Sequence, residues 1–469
     1  MKLHNTLTKQ IDDFAPSRDN VARVYTCGPT VYNHAHIGNL SAYIYGDILH
    51  RTLRLVGYNV KRVMNFTDAD DKTIRDSATT FSELQPMERL IKFTRKYEEI
   101  FLREMRAVGN LVDEVHFERA TENIAEMQEL ILKLLHDEIA YLADDGIYFS
   151  IKEYQKTRTY GQLSKIESDS ETKSRINNDE YDKETAADFA LWKKQKNDEP
   201  AWDFEVDKQD FRGRPGWHIE CSAMSVKNLG QPFDIHTGGV DLCFPHHENE
   251  IAQSTAGDQP ERLANFFVHN GHLLVDGKKM AKSAHNFYTL PDIADKGFDP
   301  LDFRMLVLQS HYRSATNFSW DTLAAAQNRR RNWRNIAELR HQITDSQDDG
   351  QAEIVNNLLD KATDALLDDL DTSNALKFLD QAVNIFASNI DNINHFALQN
   401  FIEFVSENLG LKLAETTSDI TLEQKKLIDQ RVKVREEKDW VESDKLRDEL
   451  AEQGIELNDL NEQTIWSRK

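Results

Sequence analysis

The chain has 469 residues, enough for two to four domains and a sizeable buried core. Its formal charge of −23 excludes a surface coated with nucleic-acid affinity, while leaving room for a local basic groove. Three cysteines exclude a disulfide scaffold and fit reduced thiols in a cytoplasmic protein; the sequence holds neither a membrane-spanning apolar run nor, at Met1-Lys-Leu-His, a secretory signal pattern.

In chain order, Val21, Val24 and Tyr25 form a strand that Gly28-Pro29 stops. A helix is expected from about Leu40 to Leu55, ending at Gly57. A strand that turns through Gly and Pro into a helix presents backbone N–H groups at the helix start, where an anionic phosphate binds well. Cys27 lies on the strand side of this turn, and His36 and Asn39 lie on the helix side. A soft metal ligand and a phosphate site would therefore share one crevice. A second strand, Asn59–Phe66, leads into the polar loop Thr67-Asp-Ala-Asp-Asp-Lys72 at the usual binding edge of a doubly wound sheet. Long amphipathic helices are expected over 83–108 and 120–143.

From about 144 to 212 the pattern turns short, polar and irregular, as an insertion between two halves of a nucleotide-binding fold would. Order resumes with Pro215–Met224, a strand at Phe233–His236 leading to Thr237-Gly-Gly239, and another at Phe266–His269. After about 320 the sequence reads as helical throughout, with Ile354, Leu358, Leu359, Ala362, Leu366 and Leu367 at helical spacing. Ala414–Asp419 reads as a linker to a small terminal unit.

Two stretches carry chemistry. His246 and Glu250 follow Pro245 at a spacing of four, which puts both side chains on one helix face. They make half a zinc site that Cys27 and Cys221 could complete with thiolates, although such a pair alone is more often a solvated face. Cys243, flanked by Leu242 and Phe244, reads as a small core hydrophobe. Asp276-Gly-Lys-Lys-Met-Ala-Lys-Ser283 follows the apolar strand Leu273–Val275. Lys279 and Lys282 on a Gly hinge suit a clamp over a polyphosphate; an ordinary basic surface loop is the competing reading.

Together these stretches resemble the class I aminoacyl-tRNA synthetases, and within them the cysteinyl-tRNA synthetases, over essentially the whole chain. The resemblance is carried by Cys27-Gly-Pro-Thr-Val-Tyr32, His36-Ile-Gly-Asn39, Thr67-Asp-Ala-Asp-Asp-Lys72, Ala187-Asp-Phe-Ala-Leu-Trp192, Gly216–Met224, Phe244-Pro-His-His-Glu-Asn-Glu250, the lysine loop and the run from Lys438 to Lys469. It implies an α/β, Rossmann-type catalytic domain with a doubly wound parallel sheet and an insertion, then an all-α bundle and a small anticodon-binding domain. The corresponding ranges are 1–115 and 213–320 for the two catalytic halves, 116–212 for the connective insertion, 321–413 for a tRNA-contacting bundle and 420–469 for the terminal domain.

The resemblance further implies one Zn2+ per chain, bound by Cys27, Cys221, His246 and Glu250, with its open position taking the thiolate of L-cysteine in preference to a serine hydroxyl. Thr67, Trp217 and His236 would line the amino-acid pocket. His36, Gly38, Asn39, Lys279 and Lys282 would bind ATP, supplied with Mg2+; His36, Lys279 and Lys282 would also act in catalysis. The implied activity is ATP-dependent activation of cysteine and its transfer to tRNA(Cys) by a cytoplasmic monomer. Asn39 stands where the class signature has a second histidine, Ala281 where it has a serine, Ala284-His285 where the family tends to have Leu-Gly, and Thr237 precedes a shortened glycine run. Two rivals remain: a ligase passing cysteine to a small amine, against which the 420–469 segment argues, and a catalytically silent RNA-binding paralogue. Gln327-Asn-Arg-Arg-Arg-Asn-Trp-Arg334 reads as either a phosphate-contacting patch or a solvated helix face, and Arg431, Lys433, Arg435 and Trp440 fall in the terminal domain.

Overall fold

The structure is a computed structural model that describes residues 1–164, 188–280, 286–343, 349–460 and 463–468. The chain separates into two compact units. One comprises Met1–Pro300, Ser310–Phe318 and Asp368–Leu370; the other comprises Leu301–Gln309, Ser319–Leu367 and Asp371–Lys469.

The first unit is built on a five-stranded sheet in the order Ala264–Asn270, Phe233–Gly239, Val21–Thr26, Asn59–Phe66, Val115–Arg119. Every neighbouring pair in it is parallel. Parallel strands are covered on both faces and read as continuous apolar runs, and the last five residues of Asn59–Phe66 are all buried. Chain order reverses between Val21–Thr26 and Phe233–Gly239, so their carboxyl ends flank the switch-point crevice of a doubly wound sheet. Cys27 emerges from one of these strands and the 240–250 segment from the other. The turn at Cys27 tolerates only glycine next, because a Cβ on Gly28 would lie 1.7 Å from the Asn65 carbonyl oxygen.

The helix after the Cys27 turn runs from Ile37 to Leu55 and is buried at 14 positions, among them Leu40, Ile44 and Ile48 at helical spacing. The expected polar loop at 67–72 is shorter than read: Asp70 caps a helix over Asp71–Thr80, its carboxylate accepting from the Lys72 N–H at 2.8 Å. The helix expected over 120–143 covers only Ile124–His136, and Ala140–Ala143 is a strand. Glu138 at φ 58 turns the chain there, and Tyr141 and Leu142 then pair into a sheet. The 144–212 stretch is likewise more ordered than its polarity suggests. Ala140–Ala143, Gly146–Ser150, Asp188–Lys194 and Gly213–Pro215 form a four-stranded antiparallel sheet whose inner residues, Ile147, Phe149, Phe189 and Trp192, belong to the same buried cluster as Cys27 and Cys221. The charge run of 165–184 lies outside the described residues.

In the second unit, helices Trp320–Glu338, Asp349–Leu367, Thr372–Ser388 and His395–Leu409 are followed by Leu422–Glu436 and Trp440–Glu452. The all-helical reading fails at the end, where Ile455–Leu460 and Gln463–Arg468 pair as an antiparallel hairpin. Ile455, Leu457 and Trp466 of that hairpin pack with Ile420, Ile428 and Leu450 in a separate small core. The basic patch is also not a free surface. Arg330 is buried and pairs with Asp302 at 2.6 Å, and Arg329 pairs with Asp380 at 2.6 Å, leaving Arg331 exposed. Arg431 is buried against Asp459, which Arg435 also reaches.

Candidate active site and metal centre

Four side chains from three separate stretches meet at the switch point. One ligand atom from each of Cys27, Cys221, His246 and Glu250 lies within 4.8 Å of every other, and all four residues are buried. Cys27 comes from the end of a sheet strand, Cys221 from the Trp217–Leu229 helix, and His246 and Glu250 from consecutive turns at 243–255. The i,i+4 spacing brings the His246 Nε2 to 3.0 Å from the Glu250 Oε1. The Cys27 and Cys221 sulfurs are 3.9 Å apart and unbridged. Two thiolates at zinc–sulfur distance around one tetrahedral ion stand about 3.8 Å apart.

The electrostatics point the same way. Burial pushes the Cys27 thiol far above its usual range, and Cys221 and Glu250 push it further; burial also raises Cys221. Two thiolates and a carboxylate in one dry site require a cation to hold them all ionised. Burial, with His218 and His236 beside it, holds His246 far below the ordinary imidazole range, so it is neutral and able to act as a ligand. A donor set of two sulfurs, one imidazole nitrogen and one carboxylate oxygen fits zinc in kind and number.

His36 is the N-cap of the Ile37–Leu55 helix, and its Nδ1 accepts from the Asn39 N–H at 3.2 Å. That bond places the ring proton on Nε2. The helix start is less open than the sequence suggests, because the Ile37 N–H already donates to the Tyr288 carbonyl at 2.9 Å. Gly38 lies close under Met280, whose Cε would stand 2.5 Å from an added Cβ. Asn39 is exposed, as is Lys279 on the short strand Lys278–Lys279, where the Lys279 carbonyl accepts from Asn286 Nδ2 at 3.1 Å. Lys282, Ala281, Ala284 and His285 lie outside the described residues.

A sequence profile of the class I (C) tRNA synthetase catalytic domain matches residues 13–328. The Cysteine--tRNA ligase of Leptospira interrogans is 40% identical over 485 residues, covering 100% of this chain and 99% of that protein. Those of Brachyspira hyodysenteriae and Thermococcus onnurineus are 40% and 37% identical, covering 99% and 100% of this chain and 99% of each relative. The chain belongs to the cysteine–tRNA ligase family. Two more distant solved structures share the fold of this class I synthetase. A LeuRS of Agrobacterium radiobacter, solved with tRNA and LeuAMS, has a TM-score of 0.60 at 12% identity over 87% of both chains. A Mycobacterium tuberculosis methionyl-tRNA synthetase bound by methionyl-adenylate has a TM-score of 0.55 at 14% identity, over 84% of this chain and 88% of its own.

Within this cysteine–tRNA ligase family member, two of the three residues read as lining the amino-acid pocket touch the candidate metal ligands. His236 Nε2 meets Glu250 Oε2 at 2.7 Å. Trp217 stacks on His246, and Thr67 is joined by backbone bonds to the 29–31 turn. Three residues that sequence reading passed over hold the cluster in place. His218 Nδ1 lies 2.9 Å from His246 Nδ1, and His247 Nε2 lies 3.3 Å from the Cys27 sulfur. His247 Nδ1 is in turn 2.8 Å from His269 Nε2. Because of this, Cys27, His236, His247 and Glu250 form a second group within 4.8 Å; the first group offers the zinc-favouring second thiolate. The signal for His218 and His247 was their adjacency to Trp217 and His246, but an adjacent residue on a regular helix faces elsewhere. His247 reaches the site through the irregular turn at 243–247, where Phe244 leaves helical geometry. Cys243 is buried apart from these donors, its thiol pushed up to about 12 by burial and then by Asp241.

Proposed function

We propose that this chain activates L-cysteine with ATP, releasing pyrophosphate, and transfers it to the terminal ribose of tRNA(Cys). The observation that carries the reading is the convergence of two sulfurs, an imidazole and a carboxylate at the switch-point crevice beside the His36 helix start. Cys27, Cys221, His246 and Glu250 would hold zinc, which when bound supplies an open position preferring a thiolate to a hydroxyl. A pocket that only measured size would separate cysteine from serine by a modest factor.

The protein's own groups position and neutralise. His36, protonated on Nε2, and the backbone around Gly38 and Asn39 contact the triphosphate. Lys279, with Lys282, stabilises the leaving pyrophosphate, and Mg2+ accompanies ATP. Thr67, Trp217 and His236 orient cysteine so that its carboxylate faces the α-phosphate. The 321–413 bundle and the 420–469 domain are the parts assigned to tRNA, and coverage of the relatives to 99% of their length favours transfer to tRNA over a small amine acceptor. A cytoplasmic monomer is the expected state.

The test is cysteine-dependent exchange of labelled pyrophosphate into ATP, followed by charging of tRNA(Cys). Exchange with charging is the expected result. Exchange without charging would favour the small-acceptor ligase, and no exchange in zinc-loaded protein would favour the silent paralogue.

A further inference from the structure

We infer that the strand Gln463–Arg468 is a latch that fixes the terminal domain to the end of the Trp320–Glu338 helix, with Arg468 as a positioning residue for tRNA. This rests on the reading of the chain as a tRNA ligase and gives a role to residues which that reading leaves unused.

Ala414–Asp419 reads as a linker in the sequence, and a linker with free carbonyls would let the terminal domain swing. In the structure those carbonyls are taken up by two arginines. Arg340, just beyond the helix, donates to the Ala414 carbonyl at 3.0 Å and to the Thr417 carbonyl at 2.9 Å. Arg468 donates through one Nη2 to the carbonyls of both Ser418 and Asp419. Its Nη1 pairs with Glu338 Oε1 at 2.6 Å, and its backbone N–H donates to Glu338 Oε2 at 3.2 Å. Glu338 is fully buried in the last turn of its helix, where the helix dipole disfavours a carboxylate. Arg468 supplies the charge that makes it tolerable there. One guanidinium therefore joins the helix, the linker and the strand.

Trp466 extends the join along the strand. Its ring packs in the small core with Ile428, Leu450 and Leu457 and lies nearly parallel to the His341 imidazole. Its N–H donates to Gln342 Oε1 at 2.6 Å, and its carbonyl accepts from Gln342 Nε2 at 3.0 Å. One side-chain amide thus pairs the outer edge of the strand as a neighbouring strand would. A core this small supplies little stability alone, and Trp466 belongs both to it and to the join. A tRNA held by the bundle and by the terminal domain meets the second at an effective concentration set by how firmly the two are joined. The latch keeps that concentration high, and loosening it raises KM for tRNA while leaving cysteine activation alone.

The experiment uses the zinc-loaded full chain and reads pyrophosphate exchange, KM and kcat for charging tRNA(Cys), and amide hydrogen exchange over 414–420. Arg468→Ala and Gln342→Ala should each speed amide exchange there and raise KM for tRNA about tenfold. The kcat for charging and the pyrophosphate exchange should stay within about twofold of wild type. Gln342→Ala leaves no buried charge unpaired, so it decides the matter if Arg468→Ala fails to fold. The salt dependence of tRNA binding should keep its slope in both variants, because no phosphate contact is lost. A slope reduced by about one contact in Arg468→Ala would make Arg468 a direct tRNA ligand and overturn the latch. Unchanged KM, unchanged amide exchange, or a fall in pyrophosphate exchange matching the fall in charging would overturn it as well. Wild type that exchanges pyrophosphate but charges no tRNA(Cys) would defeat the tRNA reading beneath, whereas normal charging in wild type and both variants would defeat the latch alone.

Discussion

The Trp217 indole lies on the His246 imidazole, with ring centroids 4.2 Å apart and planes 19° from parallel. The same imidazole is held at Nδ1 by His218 and at Nε2 faces Glu250. A ligand clamped on its face and both nitrogens loses little entropy on binding an ion. Trp217→Phe should therefore keep the stack and the metal. Trp217→Ala should weaken zinc binding by about tenfold or more, the range for partners that orient a ligand. Competition with a calibrated chelator measures it.

The three thiols should part company. Cys27→Ser and Cys221→Ser each replace a soft ligand by a hydroxyl that stays protonated, and both variants should purify with far less than one zinc per chain. Cys243→Ser should retain full zinc, because that side chain is buried outside the cluster. Its cost should be confined to stability, about 1–3 kcal/mol for a buried hydroxyl left poorly paired. Metal analysis beside a urea titration separates the two effects.

His50 makes the first unit sensitive to acid. Burial, and next the charge on Arg62, hold its imidazole down to about 3. In the unfolded chain it takes up a proton near its ordinary pKa of about 6.5. Between those values the unfolded state binds more protons, so this contribution to stability is complete above about pH 6.5 and declines as the pH falls toward 3. The slope from one such group is at most about 1.4 kcal/mol per pH unit. Denaturant titrations at pH 7, 6, 5 and 4 should show a shallower decline in His50→Gln than in wild type; parallel declines would contradict the assignment.

Adjacent arginines in the second unit should behave differently. Arg330 and Asp302 are almost fully buried, so Arg330→Ala leaves an uncompensated carboxylate and should cost about 3–5 kcal/mol of stability. Arg331 is exposed and, among the described residues, bonds locally to Asn328 at 2.9 Å. Arg331→Gln should leave stability within about 0.5 kcal/mol. If the bundle contacts tRNA there, the same change should reduce the salt dependence of binding by about one phosphate contact. Urea melts and binding isotherms at two salt concentrations check both statements.

Much of this protein was readable before any coordinates. Strand formers stopping at Gly28-Pro29 and the Asn59–Phe66 strand carry the fold class, because periodicity and turn chemistry are local, while the order of motifs around Cys27, His36, Cys221 and His246 carries the family resemblance. The readings that went wrong depended on partners that a periodicity pattern does not name, some a turn away and some far along the chain. Tyr141 and Leu142 left a helical pattern to pair with Tyr148 and Ile147. Arg330, read within a basic patch that was either phosphate-contacting or solvated, is buried because Asp302 comes to meet it, and Arg431 of the terminal domain is buried against Asp459.

The chain's own residue order determined which donors exist and on which elements they ride, His246 and Glu250 sharing a face through their spacing alone. Only the tertiary structure decided that Cys27 and Cys221, 194 positions apart, bring their sulfurs to 3.9 Å, and that His218 and His247 stand against His246 and Cys27. The reason is physical: local propensities act over a turn or two, whereas a metal centre is fixed by the switch point of a parallel sheet, where strands remote in sequence end side by side.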